Sequence, residues 1–439
     1  MLEDITPILV ALGALLSLIA IRVPVGLSLI AVSFVGITYE ISLRAAIGSL
    51  ARIPYDLASN WSFSAIPMFL LMGYVASETG LTSGLFRASR QVLARLPGAL
   101  ACSSVLASAL FAAASGSSVA TASAMSKIAI PEMLSRRYDP GLACGTIAAS
   151  GTLGSLIPPS IVMILYGVYS DVSIGALFMA GILPGILSMA IYIAMIVTRC
   201  KLNPSLAGGG AKAEDEPTVG AGQLLMDIAP LPILIAIVMG SISMGWATPT
   251  EAGALGALGA VLIAIAMRTF SPASFWSALK QSALSFAAIF VIIIGGALLT
   301  RYVAVAGLNK VLEQLFVESA AGPLMLIAAV SVLYIVLGMF IDSIGLLLLT
   351  APLVLPLAVS LEMDMIWFGI ILIKLLEVGL ITPPVGLNIF VIKSALGDQV
   401  TLPTIFKGVT WFISMDVLTL VLLVAFPAIT IWLPEMIYG

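Results

Sequence analysis

Gly151-Thr152-Leu153-Gly154-Ser155-Leu156-Ile157-Pro158-Pro159-Ser160 lies in the middle of a run from Pro140 to Ser170 that carries no charged residue. A continuous helix over that run would reach roughly 45 Å at ~1.5 Å per residue, against a hydrocarbon core of ~30 Å. The glycines, the hydroxyls and the proline pair argue against a straight helix. Pro158 and Pro159 donate no backbone N–H, and the residue before each is pushed away from the α region. Carbonyls freed at membrane depth need new partners, so such a break has to face protein or a water-filled cavity. The pattern returns as Gly379-Leu380-Ile381-Thr382-Pro383-Pro384-Val385-Gly386-Leu387-Asn388. Broken helices at corresponding places in two halves point to a transporter's binding site.

Composition agrees with a membrane setting. Of 439 residues, 61% are hydrophobic and 9% charged, with a mean hydropathy of +1.17. This predicts an all-α polytopic membrane protein. The ~10-residue alternating strands of a membrane β-barrel are missing. Met1-Leu2-Glu3-Asp4 is acidic, unlike the basic start of a secretory signal peptide. A net charge of −3 with no basic block gives no footprint for nucleic acid. Histidine, the commonest metal ligand and general base, is absent from the sequence. Cys102, Cys144 and Cys200 have no ligand-like spacing. The expectation is therefore that the chain is not an enzyme and uses no organic cofactor.

Apolar segments run at about 5–21, 25–39, 61–80, 98–131, 141–170 and 174–198, and again at 226–245, 250–267, 282–300, 320–361, 366–396 and 408–433. The polar interval between them reads as a flexible cytoplasmic linker. This divides the chain into a first repeat at 1–199, a linker at 200–225 and a second repeat at 226–439. The halves align at one offset: Pro24 with Pro249, Ser117 with Asp342, Pro131 with Pro356, Gly154 with Gly379, and Pro158-Pro159 with Pro383-Pro384. Each pair differs by 225 (383 − 158, for example), the sign of an internal duplication.

Charge placement predicts the threading. Arg87, Arg90 and Arg95 precede segment 98–131, and Arg136 and Arg137 follow it. A crossing segment would leave one basic cluster outside, against the positive-inside rule. A re-entrant hairpin at about 98–134 keeps both clusters cytoplasmic, with its tip near Ser115-Gly116-Ser117-Ser118. The second hairpin, about 320–361, has acidic flanks (Glu313 and Glu318, then Glu362 and Asp364) and enters from the opposite face. Each half then has about five crossings plus a hairpin, the broken helix (141–170 or 366–396) being one of the five. Five is odd, so the second repeat is inverted and both termini are periplasmic. Arg44 and Arg52 break the rule, on a segment at 41–58 that reads as lying along the interface.

The hairpin tips carry the candidate chemistry. Ser115, Ser117, Ser118, Thr121 and Ser123 surround Gly116. Such small residues pack helices closely, or their hydroxyl and backbone oxygens hold a hard cation such as Na⁺, with Gly151 and Gly154 supplying the facing backbone. At the second tip, Gly338 and Asp342-Ser343 face Gly379 and Thr382. Asp342 is the only charge between Glu318 and Glu362, and a carboxylate at membrane depth costs at least ~2.5 kcal/mol. Asp342 either caps the second arm, binds a cation, or does both. Ser117, Ser160, Arg301 and Asn388 are the candidate substrate contacts, although Arg301 reads first as an interfacial anchor. Lys127 reads as snorkelling to the cytoplasmic surface, and Lys374 with Glu377 as an i,i+3 pair.

At these motifs the chain resembles the large membrane subunit (DctM-like permease) of tripartite ATP-independent periplasmic (TRAP) transporters. The resemblance rests on Ala114-Ser115-Gly116-Ser117-Ser118-Val119-Ala120-Thr121, on Gly151 through Ser160, on Gly338 through Asp342 and on Gly379 through Gly386, over essentially the whole chain. It implies a sodium-driven, elevator-type importer of an organic anion in the bacterial inner membrane. The implied partners are a small four-helix membrane subunit and a periplasmic substrate-binding protein, neither fused here. The implied sodium sites fall on Ser115, Gly116, Ser117 and Ser118 with Gly151 and Gly154, and on Gly338, Asp342 and Ser343 with Gly379 and Thr382. Sialic acids, C4-dicarboxylates, keto acids and sugar acids all suit such a scaffold. A stand-alone sodium/dicarboxylate symporter is the alternative within the class. An intramembrane hydrolase is the alternative outside it, with only Lys127 or Asp342 available as a base.

Overall fold

The computed structural model describes residues 2–82, 84–208, 220–308 and 322–438, and among these the chain is helical with no strand. The part of the linker at 209–219 and the start of the second hairpin segment at 320–321 lie outside the described residues. The linker is shorter than 200–225. Helix Ile174–Leu202 runs on into it, with Arg199 and Lys201 in its last turn, and another helix begins at Ala221. Cations in a last turn favour continuation because they face the negative end of the helix dipole.

Both hairpins are present as helix pairs. The first consists of Ala99–Ser115 and Ser118–Ser135, the second of Pro323–Gly338 and Ser343–Ser360. Gly116 turns the first tip in the left-handed region (φ 59°), where a Cβ would be strained. Ser117 then caps the second arm by accepting from the Ala120 N–H at 3.4 Å. The two ends of this hairpin lie side by side. Glu132 pairs with Arg90, before the hairpin, at 3.3 Å and with Arg136, after it, at 3.1 Å. The Leu100 N–H also donates to the Tyr138 hydroxyl at 3.3 Å.

Both broken helices are present too, as Pro140–Leu156 with Ile161–Ser170, bent by 40°, and Met365–Ile381 with Leu387–Leu396. Their first arms begin 225 residues apart and end 225 residues apart, as do the second arms of the hairpins. The packing is reciprocal as well. Val25–Glu40 packs on Pro272–Val305, while its repeat mate Pro249–Ala266 packs on Ala65–Glu78, the mate of that long helix's C-terminal half. Leu387–Leu396 packs on the second arm of the first hairpin, and Ile161–Ser170 on the second arm of the second. Each half thus lends the same faces to the other.

One element escapes the repeat. The 34-residue helix Pro272–Val305 is continuous, but its counterpart is split into Leu43–Ser59 and Ala65–Glu78 around Asn60. The Asn60 side chain accepts from the Ser62 N–H at 3.0 Å and starts a separate turn, which ends the first piece. The expected 282–300 segment is therefore only the apolar stretch of a much longer rod. Similarly, 408–433 resolves into Leu402–Ala425 and Ala428–Tyr438. Five helices among the described residues are each long and apolar enough to cross a bilayer. Ser343–Ser360 is one of them, yet 72% of its apolar window is buried in protein, as suits a hairpin arm.

Candidate functional site

A cavity of about 700 Å³ opens between the two hairpin tips and two helices of the surrounding frame. Ser117 and Asp342, the repeat mates at the tips, both line it. Its far wall comes from Ala65–Glu78 and Pro272–Val305, which polar side chains fasten together. Tyr74 and Ser285 share a hydrogen bond at 2.7 Å, and the Gln281 amide donates to Glu78 at 2.9 Å.

At the first tip the oxygens are concentrated. The Ser115 and Thr121 hydroxyls are 2.9 Å apart, and Thr121 donates to the Ser117 carbonyl at 2.9 Å. The Ser118 hydroxyl lies 2.8 Å from that of Ser155 and 3.3 Å from the Thr152 carbonyl, which ties the tip to the first break. Contact there is backbone to backbone: a Cβ on Gly154 would meet the Ser117 carbonyl carbon at 3.0 Å. Gly151 is packed as closely, against Ala122. The structure thus brings Ser115, Gly116, Ser117, Ser118 and Gly154 together, with hydroxyl and carbonyl oxygens of the kind a hard monovalent cation takes, while Gly151 packs further along the second arm, against Ala122.

At the second tip Asp342 is a cap. Its Oδ2 accepts from the Ile344 and Gly345 N–H groups at 3.1 and 3.2 Å, and Oδ1 takes neither bond. One carboxylate oxygen thus remains for another partner. Gly338 and Gly379 cross face to face, so that a Cβ on either would fall 2.8–2.9 Å from the other's Cα. Thr382 ends the arm after Gly379, its hydroxyl donating to the Val378 carbonyl at 2.6 Å. The Gly386 N–H donates to the Met339 carbonyl at 3.3 Å and anchors the far side of the break to the hairpin. Ser343 is buried beside Asp342 and lines the cavity with it.

The remaining substrate candidates lie elsewhere. Ser160 is fully buried and caps Ile161–Ser170. Asn388 is also buried, donating to the Ala148 carbonyl at 3.2 Å across the two broken pairs. Arg301 is exposed on the long helix. None of the three belongs to the cavity wall, whereas Ser117 does. Lys127, read from the sequence as a snorkelling residue, does line it.

A second polar cluster is sealed from the cavity. Lys374 lies 3.4 Å from Glu377, as its spacing suggested, and also 2.7 Å from Asp416, all three fully buried. The Tyr192 hydroxyl donates to Asp416, and the Lys374 ammonium stands 5.7 Å from the Tyr192 ring. Glu377 Oε1 and Asp416 Oδ2 have no hydrogen-bond partner among the described residues. Asp416 escaped sequence reading because its partners come from helices far away in the chain.

An apolar helical chain whose two hairpin tips and two Gly/Pro breaks converge on a central cavity has the build of a secondary membrane transporter. Over residues 12–429 it matches the family described as "Tripartite ATP-independent periplasmic transporter, DctM component", and it belongs to that family. It is 31% identical over 426 residues to the sialic acid TRAP transporter large permease protein SiaM of Vibrio cholerae, covering 97% of each chain. It is 32% identical over 393 residues to the C4-dicarboxylate TRAP transporter large permease protein DctM of Pseudomonas aeruginosa, covering 89% of this chain and 90% of that one. The 2,3-diketo-L-gulonate TRAP transporter large permease protein YiaN of Escherichia coli is 29% identical over 385 residues, covering 86% of this chain and 88% of the relative. In three dimensions the chain resembles the crystal structure of the Alcanivorax borkumensis YdaH transporter, with a TM-score of 0.57 and 16% identity over 88% and 89% of the two chains. That likeness concerns the fold alone.

Proposed function

We propose that this permease imports an organic anion across the bacterial inner membrane by coupling to Na⁺, which binds at the two hairpin tips. The observation that carries the reading is the cavity itself: Ser117 and Asp342 line one space, and the two hairpins meet the breaks of their own halves through Ser117 on Gly154 and Gly338 on Gly379. Hydroxyls, carbonyls and one carboxylate suit Na⁺, and their common cavity lets ion occupancy and anion binding affect each other directly. The anion is handed over by a periplasmic binding protein, and a small four-helix membrane subunit completes the complex. Membership of a tripartite transporter family supports both partners.

The threading belongs to the same reading. The two repeats are inverted, both termini are periplasmic, and the hairpins enter from opposite faces. The reciprocal packing of the halves supports this, as does the shared Glu132 pairing at the ends of the first hairpin. Movement is of the elevator type, with hairpins and broken helices travelling against the frame helices across the cavity. The discriminating experiment reconstitutes the chain with its small subunit in proteoliposomes and supplies candidate binding proteins loaded with sialic, dicarboxylic, keto and sugar acids. Accumulation under an inward Na⁺ gradient, abolished when K⁺ replaces Na⁺, is the expected result. Uptake unchanged with no sodium on either side refutes the coupling, and uptake that needs no binding protein favours the stand-alone symporter.

A further inference from the structure

The sealed cluster around Lys374 lies between the two tips. Lys374 and Glu377 stand on the arm Met365–Ile381, Asp416 on Leu402–Ala425 and Tyr192 on Ile174–Leu202. All three helices pack on Pro140–Leu156, the first arm of the other break. On that side the Tyr192 hydroxyl meets the Thr152 side chain, and Glu377 faces the Leu156 backbone. The Thr152 carbonyl in turn accepts from Ser118, at the first tip, at 3.3 Å. In the other direction Glu377 precedes Gly379 by two residues on the same arm, and Gly379 crosses Gly338 of the second hairpin. A buried chain of contacts thus runs from one tip to the other without entering the cavity.

Three charged side chains buried in an apolar helical protein are costly, and apolar residues of similar volume would pack the same helices at less cost. What the charges add is an exchangeable contact. The Lys374 ammonium has carboxylate partners on two different helices, Asp416 at 2.7 Å and Glu377 at 3.4 Å. Each carboxylate keeps one oxygen with no hydrogen bond among the described residues. The ammonium can therefore pass between them as its arm shifts against Leu402–Ala425, and at no point is it left unpaired. Packed contacts with two discrete arrangements are what transmits an effect between separated sites. We infer that this cluster is the link through which the two tips sense each other, setting the position of the arm that bears Gly379 according to the state of the break beside Ser118. Lys374 and Tyr192 are then positioning residues, which touch neither the ions nor the anion. The inference rests on the sodium reading, which gives the two sites something to transmit.

The test removes single hydroxyls and leaves the charges in place. Tyr192→Phe and Thr152→Val each cut the Tyr192–Thr152 contact, from opposite sides, and the double variant completes the cycle. Folding is checked by size-exclusion chromatography, and initial uptake into proteoliposomes is measured as external Na⁺ is varied. Each variant is expected to need sodium still, with a Hill coefficient that falls toward one and a half-maximal sodium concentration that rises about fivefold or more. The double variant is expected to be no worse than the worse single one, because the same link is cut twice. A merely structural role predicts instead a lower yield or maximal rate with the Hill coefficient kept. A wild-type Hill coefficient in the folded variants, or single effects that multiply in the double variant, overturns the inference. If Tyr192→Phe does not fold, Thr152→Val carries the same test alone. A wild-type chain with a hyperbolic or absent sodium dependence removes the two-site sodium reading, whereas a sigmoidal wild type with equally sigmoidal variants removes only the link.

Discussion

Asp342, half-buried on the cavity wall, and Lys374, fully buried, illustrate what one residue reveals about itself. Asp342 was legible because nothing else in its long apolar stretch is charged. Its cap was legible too, because an Asp before a helix start has only the first N–H groups to accept from. If the second tip holds Na⁺ as proposed, Asp342→Asn keeps the shape and the cap but removes the charge that would balance the desolvated cation. We expect normal folding with a clear rise in the sodium concentration for half-maximal uptake, measured in proteoliposomes, and a milder rise for Ser117→Ala, where carbonyl oxygens remain. Unaltered sodium dependence in a folded Asp342→Asn variant leaves Asp342 as a cap only. At Lys374 the sequence revealed the near partner, Glu377, and hid the far ones, because an i,i+3 neighbour is fixed by helix geometry and Asp416 and Tyr192 are not. Lys374→Met strands two buried carboxylates and is expected to cost about 3–5 kcal/mol of stability in denaturation assays. Asp416→Asn leaves Lys374 its second carboxylate and is expected to cost less. The opposite order contradicts this account of the cluster.

At the scale of elements, the hairpins and breaks were readable because each depends on local chemistry. Gly116 and Ser117 turn and cap, while Pro158-Pro159 and Pro383-Pro384 deny the helix its donors. The frame was less readable. Leu43–Ser59 and Ala65–Glu78 are separated by a local Asn60 turn, but the equivalent rod stays whole because no such residue interrupts Pro272–Val305. Of the four substrate candidates, Ser117 alone lies on the cavity wall. Ser160 and Asn388 sit at the breaks in sequence, but their side chains satisfy backbone groups inside the protein, while Lys127 and Glu78 come to the cavity from helices whose meeting no local pattern encodes. Single cysteines placed near Arg95 and Arg136 test the hairpin itself. The shared pairing to Glu132 leads us to expect both to label from the cytoplasmic face with a membrane-impermeant reagent. Labelling from opposite faces contradicts a re-entrant hairpin.

For the molecule as a whole, the 225-residue register extends from sequence landmarks to helix ends and to the reciprocal packing of the halves. Two equivalent tips facing one cavity give the coupling claim a specific kinetic form. If each tip holds one Na⁺ and both must be filled before the anion moves, transport depends on sodium more steeply than one ion allows. The most direct measurement is the initial rate of anion uptake into proteoliposomes as external Na⁺ is varied at constant ionic strength, with K⁺ as the replacement. We expect a sigmoidal dependence with a Hill coefficient above one. A hyperbolic dependence, or a rate indifferent to sodium, contradicts the account.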